Sequence, residues 1–164
     1  MKLKKGDCFP KVDFFWLNDG SPEKVSSTDL FNNKRIILVG VPGAFTPTCT
    51  NEHLPGYISN FENFKSKGID EIFFISVNDP FVMQKWGEAV GKNELKFIAD
   101  SNGDFMKSSE LMVDLSAAGL GNRLSRFSML VDDGLIKEIF DENGPSLDKS
   151  LSLIHISEPT RRIT

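Results

Sequence analysis

Cysteine is scarce: Cys8 and Cys49 are the only two in 164 residues. Two cysteines cannot build the multi-bridge framework of a small secreted domain, so a hydrophobic core must carry stability. Positive charge is not in excess either, with a formal net charge of −4 and a pI near 5.2. That balance argues against a nucleic-acid binder, which needs a basic face to neutralise phosphates. No apolar run approaches the roughly 18 residues that a membrane-spanning helix requires. The basic start Met1–Lys5 is followed by Gly6, Asp7 and Pro10 rather than by a signal-peptide apolar stretch. Repeats, low-complexity tracts and linkers are also missing. What remains is the expectation of one soluble intracellular domain, cytoplasmic first and organellar second, with a core built from the 40% of residues that are hydrophobic.

Strand-like and helix-like segments alternate. Val12–Leu17 is an early apolar run leading into a Gly/Ser/Pro loop around Asn18–Pro22. Ser26, Ser27, Thr28 and Asp29 offer caps for a short helical turn ending near Phe31. Arg35–Val41 is a continuous β-branched run, the pattern of a strand buried on both faces. After the loop Pro42–Thr46, Leu54, Tyr57, Ile58, Phe61 and Phe64 repeat at helical spacing, with a kink expected at Pro55 and an end at Gly68. Glu71–Val77 reads as a second central strand. Asn78-Asp79-Pro80 reads as the cap and first turn of a helix carrying Phe81, Val82 and Trp86. Lys96–Ala99 reads as a short strand, Asp104–Met112 as a short helix, and Arg126–Val131 with Leu135–Phe140 as a hairpin turning at Asp132-Asp133-Gly134. The whole is an α/β sandwich with a mixed sheet.

The end of the chain differs in character. Leu151–Arg161 reads LSLIHISEPTR, which resembles the in-frame translation of a common sequencing-library adaptor. A native final strand is the plain alternative, because Leu151, Leu153 and Ile156 can line a core. The eleven-residue coincidence favours the adaptor. The expected division is therefore a domain over 1–150 and a non-native tail over 151–164.

The chemistry concentrates at Cys49. It follows a buried-type strand and a Pro/Gly loop and begins a helix, where first-turn N–H groups lack helical partners and the dipole is positive. A thiol of pKa about 8.5 is only a few per cent thiolate at neutral pH. A helix N-terminus with a nearby cation lowers that pKa by about one unit or more. The plain alternative is a small buried hydrophobe, the usual state of a free cysteine. His53 lies one helical turn later and can share a face with Cys49, although a packed histidine is the commoner outcome. Within residues 1–150, one histidine and two distant cysteines offer no metal site, and no glycine-rich phosphate loop follows a strand.

Pro42, Thr46 and Cys49 fit P-x-x-x-T-x-x-C, here PGAFTPTC. This resembles the peroxidatic motif of peroxiredoxins, and VPGAFTPTCTNEHLPGY resembles the atypical peroxiredoxin-5 subfamily. Further matches are GDCFP, ISVNDPFVMQKWG, FIADSNGDF and GNRLSRFSMLVDDGLIK, in order over residues 5–145. The resemblance implies a thioredoxin-like fold, a central mixed β-sheet flanked by helices. It also implies a thiol peroxidase that reduces hydrogen peroxide and alkyl hydroperoxides without metal or organic cofactor. Cys49 would attack the peroxide and become a sulfenic acid. Thr46 would supply a hydroxyl, Arg126 would hold thiolate and peroxide, and Pro42 would shield the thiolate. Arg123 matches a second family arginine, with a solvated surface charge as the alternative. Trp86 and Phe45 would line the pocket or a dimer contact, or simply pack.

Cys8 does not occupy the family's resolving position, and Leu147–Ser150, where that residue lies in two-cysteine members, contains no cysteine. The implied cycle uses one cysteine, with glutathione/glutaredoxin or thioredoxin as reductant, in a homodimer. A non-catalytic redox-sensing or holdase-type module on the same scaffold is the alternative. A thioredoxin-type oxidoreductase is rejected because Thr46 stands where C-x-x-C needs its first cysteine.

Overall fold

The structure is a computed structural model that describes residues 2–46, 61–90 and 95–141. The chain forms β1 (Asp13–Asn18), β2 (Ser21–Ser26), α1 (Ser27–Phe31), β3 (Arg35–Gly40), α2 (Phe61–Ser66), β4 (Glu71–Ser76), α3 (Pro80–Val90) and β5 (Leu95–Ala99). It continues with α4 (Asp104–Ser109), β6 (Met112–Leu115), a 3-10 turn at 116–118, β7 (Gly121–Leu124), β8 (Phe127–Asp132) and β9 (Leu135–Asp141). The main sheet has the order β2-β1-β5-β4-β3-β8-β9, and β6 and β7 form a separate pair. β3, β4 and β5 run parallel, while β8 returns antiparallel beside β3. The mixed sheet flanked by helices is the thioredoxin-like arrangement.

The continuous apolar pattern of β3 has the expected consequence: all six of its residues are buried. Alternation sends Ile36 and Leu38 to one face, with Phe14, Phe31, Phe73, Phe105 and Phe127, and Ile37 and Val39 to the other, with Phe64, Phe74 and Trp86. Phenylalanine dominates the first face, where Phe9 stacks on Phe105 at 5.1 Å and meets Phe31 edge-on at 4.9 Å. Trp86 is fully buried between Phe74 and Phe97, so it is a core residue.

Local signals explain most boundaries. Ser26 caps α1 by accepting the Asp29 N–H at 3.1 Å, and Asp79 accepts the Val82 N–H at 2.9 Å at the start of α3. Two expectations need correction. The stretch after Asn18 is a strand rather than a loop, because Asp19 and Gly20 (φ 52° and 81°) make a tight hairpin turn. The helix from Asp104 stops at Ser109, since Glu110 takes φ 60°, and Met112 belongs to β6. The short β6–β7 pair has no clear sequence signature. The kink at Pro55 and the tail over 151–164 lie outside the described residues. Among those described, no helix is long and apolar enough to cross a membrane.

β3, β4 and β5 all finish at one end of the sheet. There a Cβ on Gly40 would overlap the ring of Phe127, its register partner on β8. Gly40→Ala is expected to lower unfolding free energy by about 1–3 kcal/mol through overpacking, read from urea denaturation. Just past β5, Asp100 accepts the Phe105 and Met106 N–H groups at 3.0 and 2.9 Å. Burial pushes its carboxyl up from 3.8 to about 6, against the pull of those two bonds. The folded state thus holds a proton that the unfolded chain releases between about pH 4 and 6. The associated stabilisation is complete below 3.8 and lost as pH rises through about 6. Unfolding free energy should fall more steeply across that window in wild type than in Asp100→Asn, measured by urea titration at several pH values.

Candidate active site

The carboxyl ends of parallel strands are where open α/β sheets place their ligands. Here the chain leaves β3 through Val41, whose N–H donates to the Ile75 carbonyl at 3.1 Å and so extends the ladder by one step. Pro42 and Gly43 are buried, Ala44 and Thr46 half-buried, and Phe45 is 51% exposed with φ 66°. A phenylalanine in the left-handed region costs about 1–2 kcal/mol, so this turn needs external support.

Two hydrogen bonds from distant residues supply it, and a third inside the loop adds to them. Arg123 donates from Nη1 to the Pro42 carbonyl at 3.1 Å and from Nε to the Leu120 carbonyl at 2.8 Å. Asn78, just past β4, accepts the Ala44 N–H on Oδ1 at 2.9 Å. Thr46 Oγ1 donates to the Gly43 carbonyl at 2.8 Å. Gly43 sits where these side chains converge: a Cβ there would lie 3.0 Å from Arg123 Nη1, 3.3 Å from Thr46 Cγ2 and 3.8 Å from Asn78 Oδ1.

Arg126 precedes β8 by one residue. Because Gly40 pairs with Phe127, one further step of the antiparallel register sets Arg126 opposite Val41, beside the loop. Its side chain is buried, with 1% exposure. The structure therefore brings Pro42, Thr46, Arg123 and Arg126 to one end of the sheet. Arg123 is a brace between two backbone carbonyls rather than a solvated surface charge. Cys49 and His53 lie outside the described residues. Cys8 is exposed and pairs through its backbone with Leu135, at the opposite end of β8. Asn78 was missed as a site residue because Asn-Asp-Pro already reads as a helix start. Among the described residues, no three His, Cys, Asp or Glu side chains are grouped to hold a metal ion.

The redoxin family model matches residues 4–151. Peroxiredoxin-2D of Arabidopsis thaliana is 46% identical over 142 residues, covering 85% of this chain and 87% of that protein. The chain belongs to the peroxiredoxin family. Among solved peroxiredoxins, reduced Prx3 of Vibrio vulnificus, determined in complex with hydrogen peroxide, superposes with TM-score 0.87 at 35% identity. That alignment covers 93% of this chain and 99% of the Vibrio one. Peroxiredoxin 5 of Alvinella pompejana superposes with TM-score 0.80 at 33% identity, over 93% and 98% of the two chains. The atypical peroxiredoxin-5 resemblance and the thioredoxin-like fold both hold, and this kinship supports a thiol peroxidase function.

The convergence at Gly43 makes the loop of this peroxiredoxin testable by coupling. Gly43→Ala sets a methyl 3.0 Å from Arg123 Nη1, so the head group must give by a few tenths of an ångström and its bond to the Pro42 carbonyl weakens, at a cost of up to about 1 kcal/mol. In an Arg123→Met background, which has no Nη1 to displace, the same alanine should cost less. A double-mutant cycle by urea denaturation should return a coupling of about 0.5–1.5 kcal/mol, and strict additivity would contradict the brace.

Proposed function

We propose that this peroxiredoxin reduces hydrogen peroxide and alkyl hydroperoxides at Cys49, using an external thiol to complete each cycle. The observation that supports this most directly is the braced Pro42–Thr46 loop beside the buried Arg126, placed three residues ahead of Cys49.

In the first half-reaction the Cys49 thiolate attacks one peroxide oxygen. The S–O bond forms as the O–O bond breaks, and its electron pair leaves on the other oxygen as hydroxide or alkoxide. That oxygen takes a proton and departs as water or alcohol, leaving Cys49 as sulfenic acid. Negative charge moves from sulfur to the leaving oxygen, so fixed donors near both positions lower the barrier. The buried Arg126 guanidinium suits that task and would also favour the thiolate over the thiol. The single proton of the Thr46 hydroxyl is given to the Gly43 carbonyl. Its oxygen is therefore left to accept from the peroxide O–H, which would orient the substrate. Pro42 is buried and has no N–H to compete for the thiolate, and its carbonyl is already taken by Arg123.

In the second half-reaction an external thiol attacks the sulfenic sulfur, releasing water and forming a mixed disulfide. A second thiol restores Cys49 and leaves as part of the external disulfide. Residues 147–150 carry no cysteine, which supports a one-cysteine cycle fed by glutathione/glutaredoxin or thioredoxin. A reducing compartment, cytoplasmic or organellar, fits that demand. A homodimer formed at the loop end of the sheet is supported by two apolar side chains there, Phe45 and Phe81, each about half exposed. The catalytic domain is taken as residues 1–150 with 151–164 as a non-native tail, a division supported by the family match over 4–151.

Peroxide consumption with each thiol system tests the reading. Cys49→Ser should lower kcat/KM by at least about a thousandfold, whereas Cys8→Ser should stay within about twofold of wild type. Arg126→Ala should slow oxidation by about 10²–10³ and move the pH midpoint of Cys49 alkylation upward. Turnover that survives in Cys49→Ser but is lost in Cys8→Ser would overturn it.

A further inference from the structure

Asn78-Asp79-Pro80 reads as a helix start, yet capping occupies only Asp79. Its carboxylate accepts the Val82 N–H and its carbonyl accepts the Met83 N–H at 3.1 Å. The Asn78 side chain turns instead to the Pro42–Thr46 loop. Its Oδ1 accepts from the Ala44 N–H and from the Ser76 hydroxyl, so both lone pairs are engaged. The Ala44 N–H can only donate, which decides that oxygen rather than nitrogen faces the loop. Ser76 is itself fully buried at the end of β4. Its Oγ also accepts the Asn78 N–H at 3.2 Å and lies 3.3 Å from Met83 Sδ. The serine thus fixes the asparagine at two points, and the asparagine fixes the loop at one.

We infer that Asn78, oriented by Ser76, is a positioning residue for peroxide reduction that carries the rigidity of β4 to the loop holding Pro42 and Thr46. The inference rests on the peroxidase reading above. Ala44 stands midway between Pro42 and Thr46, and its neighbour Phe45 has an unfavourable φ. Without the bond to Oδ1 the turn is free to relax, carrying the Thr46 oxygen away from where it meets the peroxide. Misplacement by about 1 Å is enough to cost up to about a hundredfold in rate. The effect belongs to the peroxide half-reaction, because the loop is proposed to orient peroxide and not the reducing thiol.

Stopped-flow measurement of the two half-reactions tests this in Asn78→Leu, Asn78→Asp and Ser76→Ala. Asn78→Leu is expected to slow oxidation by hydrogen peroxide about tenfold or more, with reduction of the sulfenic acid by thiol within about twofold of wild type. Asn78→Asp keeps an acceptor oxygen for both donors and should restore most of the oxidation rate. Ser76→Ala, which frees the amide to turn, should fall between the two. Oxidation at the wild-type rate in Asn78→Leu would overturn the inference, as would equal slowing of both half-reactions. If Asn78→Leu does not fold, Ser76→Ala oxidising at the wild-type rate overturns it in the same way. Failure of the wild-type protein to react with peroxide would instead overturn the peroxidase reading.

Discussion

β3 is hydrogen-bonded along both edges, to β4 and β8, and covered on both faces by hydrophobic clusters. The point where the chain leaves it cannot shift without breaking two ladders and opening two cores. Everything at the carboxyl end of the sheet is referred to that point. The register that sets Gly40 against Phe127 also sets Arg126 opposite Val41, and the register that sets Gly40 against Ile75 brings Asn78 level with the loop. A slip of one residue on either edge would turn these side chains to the wrong face. The missing Cβ at Gly40 belongs to the same constraint, since the Phe127 ring fills its place and stays within 6.0 Å of Phe105 in the aromatic face.

Two arginines approach the loop and are used differently. Arg123, half-buried on β7, gives Nε and Nη1 to two backbone carbonyls and so ties the small second sheet to Pro42. It acts as a mechanical link, and its charge remains partly in contact with water. Arg126 is buried, and a guanidinium taken out of water is held at a cost that a neighbouring anion offsets. In the proposed cycle such anions are the thiolate and the departing oxygen. The sulfenic acid is neutral, so the same cation would favour the reactive states over the product.

The sheet was legible in the sequence wherever burial was complete. Ile36–Gly40 and Ile72–Ile75 are uninterrupted apolar runs because both faces are covered, and the Asp133-Gly134 pair turns the β8–β9 hairpin as expected. β2 was hidden because SPEKVS is an exposed edge strand without an apolar face; only Asp19-Gly20 announced it. β6 and β7 are four residues each and mostly polar or exposed, so neither periodicity nor a turn pair marks them.

The site shows the same division at closer range. Pro42 and Thr46 were legible because they form one contiguous motif with Cys49, and Arg126 because a second motif carries it. What holds the loop was not legible. Within Pro42–Thr46 the hydrogen bond from Thr46 to Gly43 is local, and the two remaining braces come from residues 34 and 81 positions away. Irregular backbone with a left-handed phenylalanine has few local bonds to offer, so its shape must be set by tertiary partners. Each partner carries a stronger local meaning of its own: Asn78 as part of a helix start, Arg123 as a charge on a polar strand. A residue whose local surroundings already account for it gives no sign of the distant contact it makes. That contact appears only when the registers of β4 and β8 bring it beside β3.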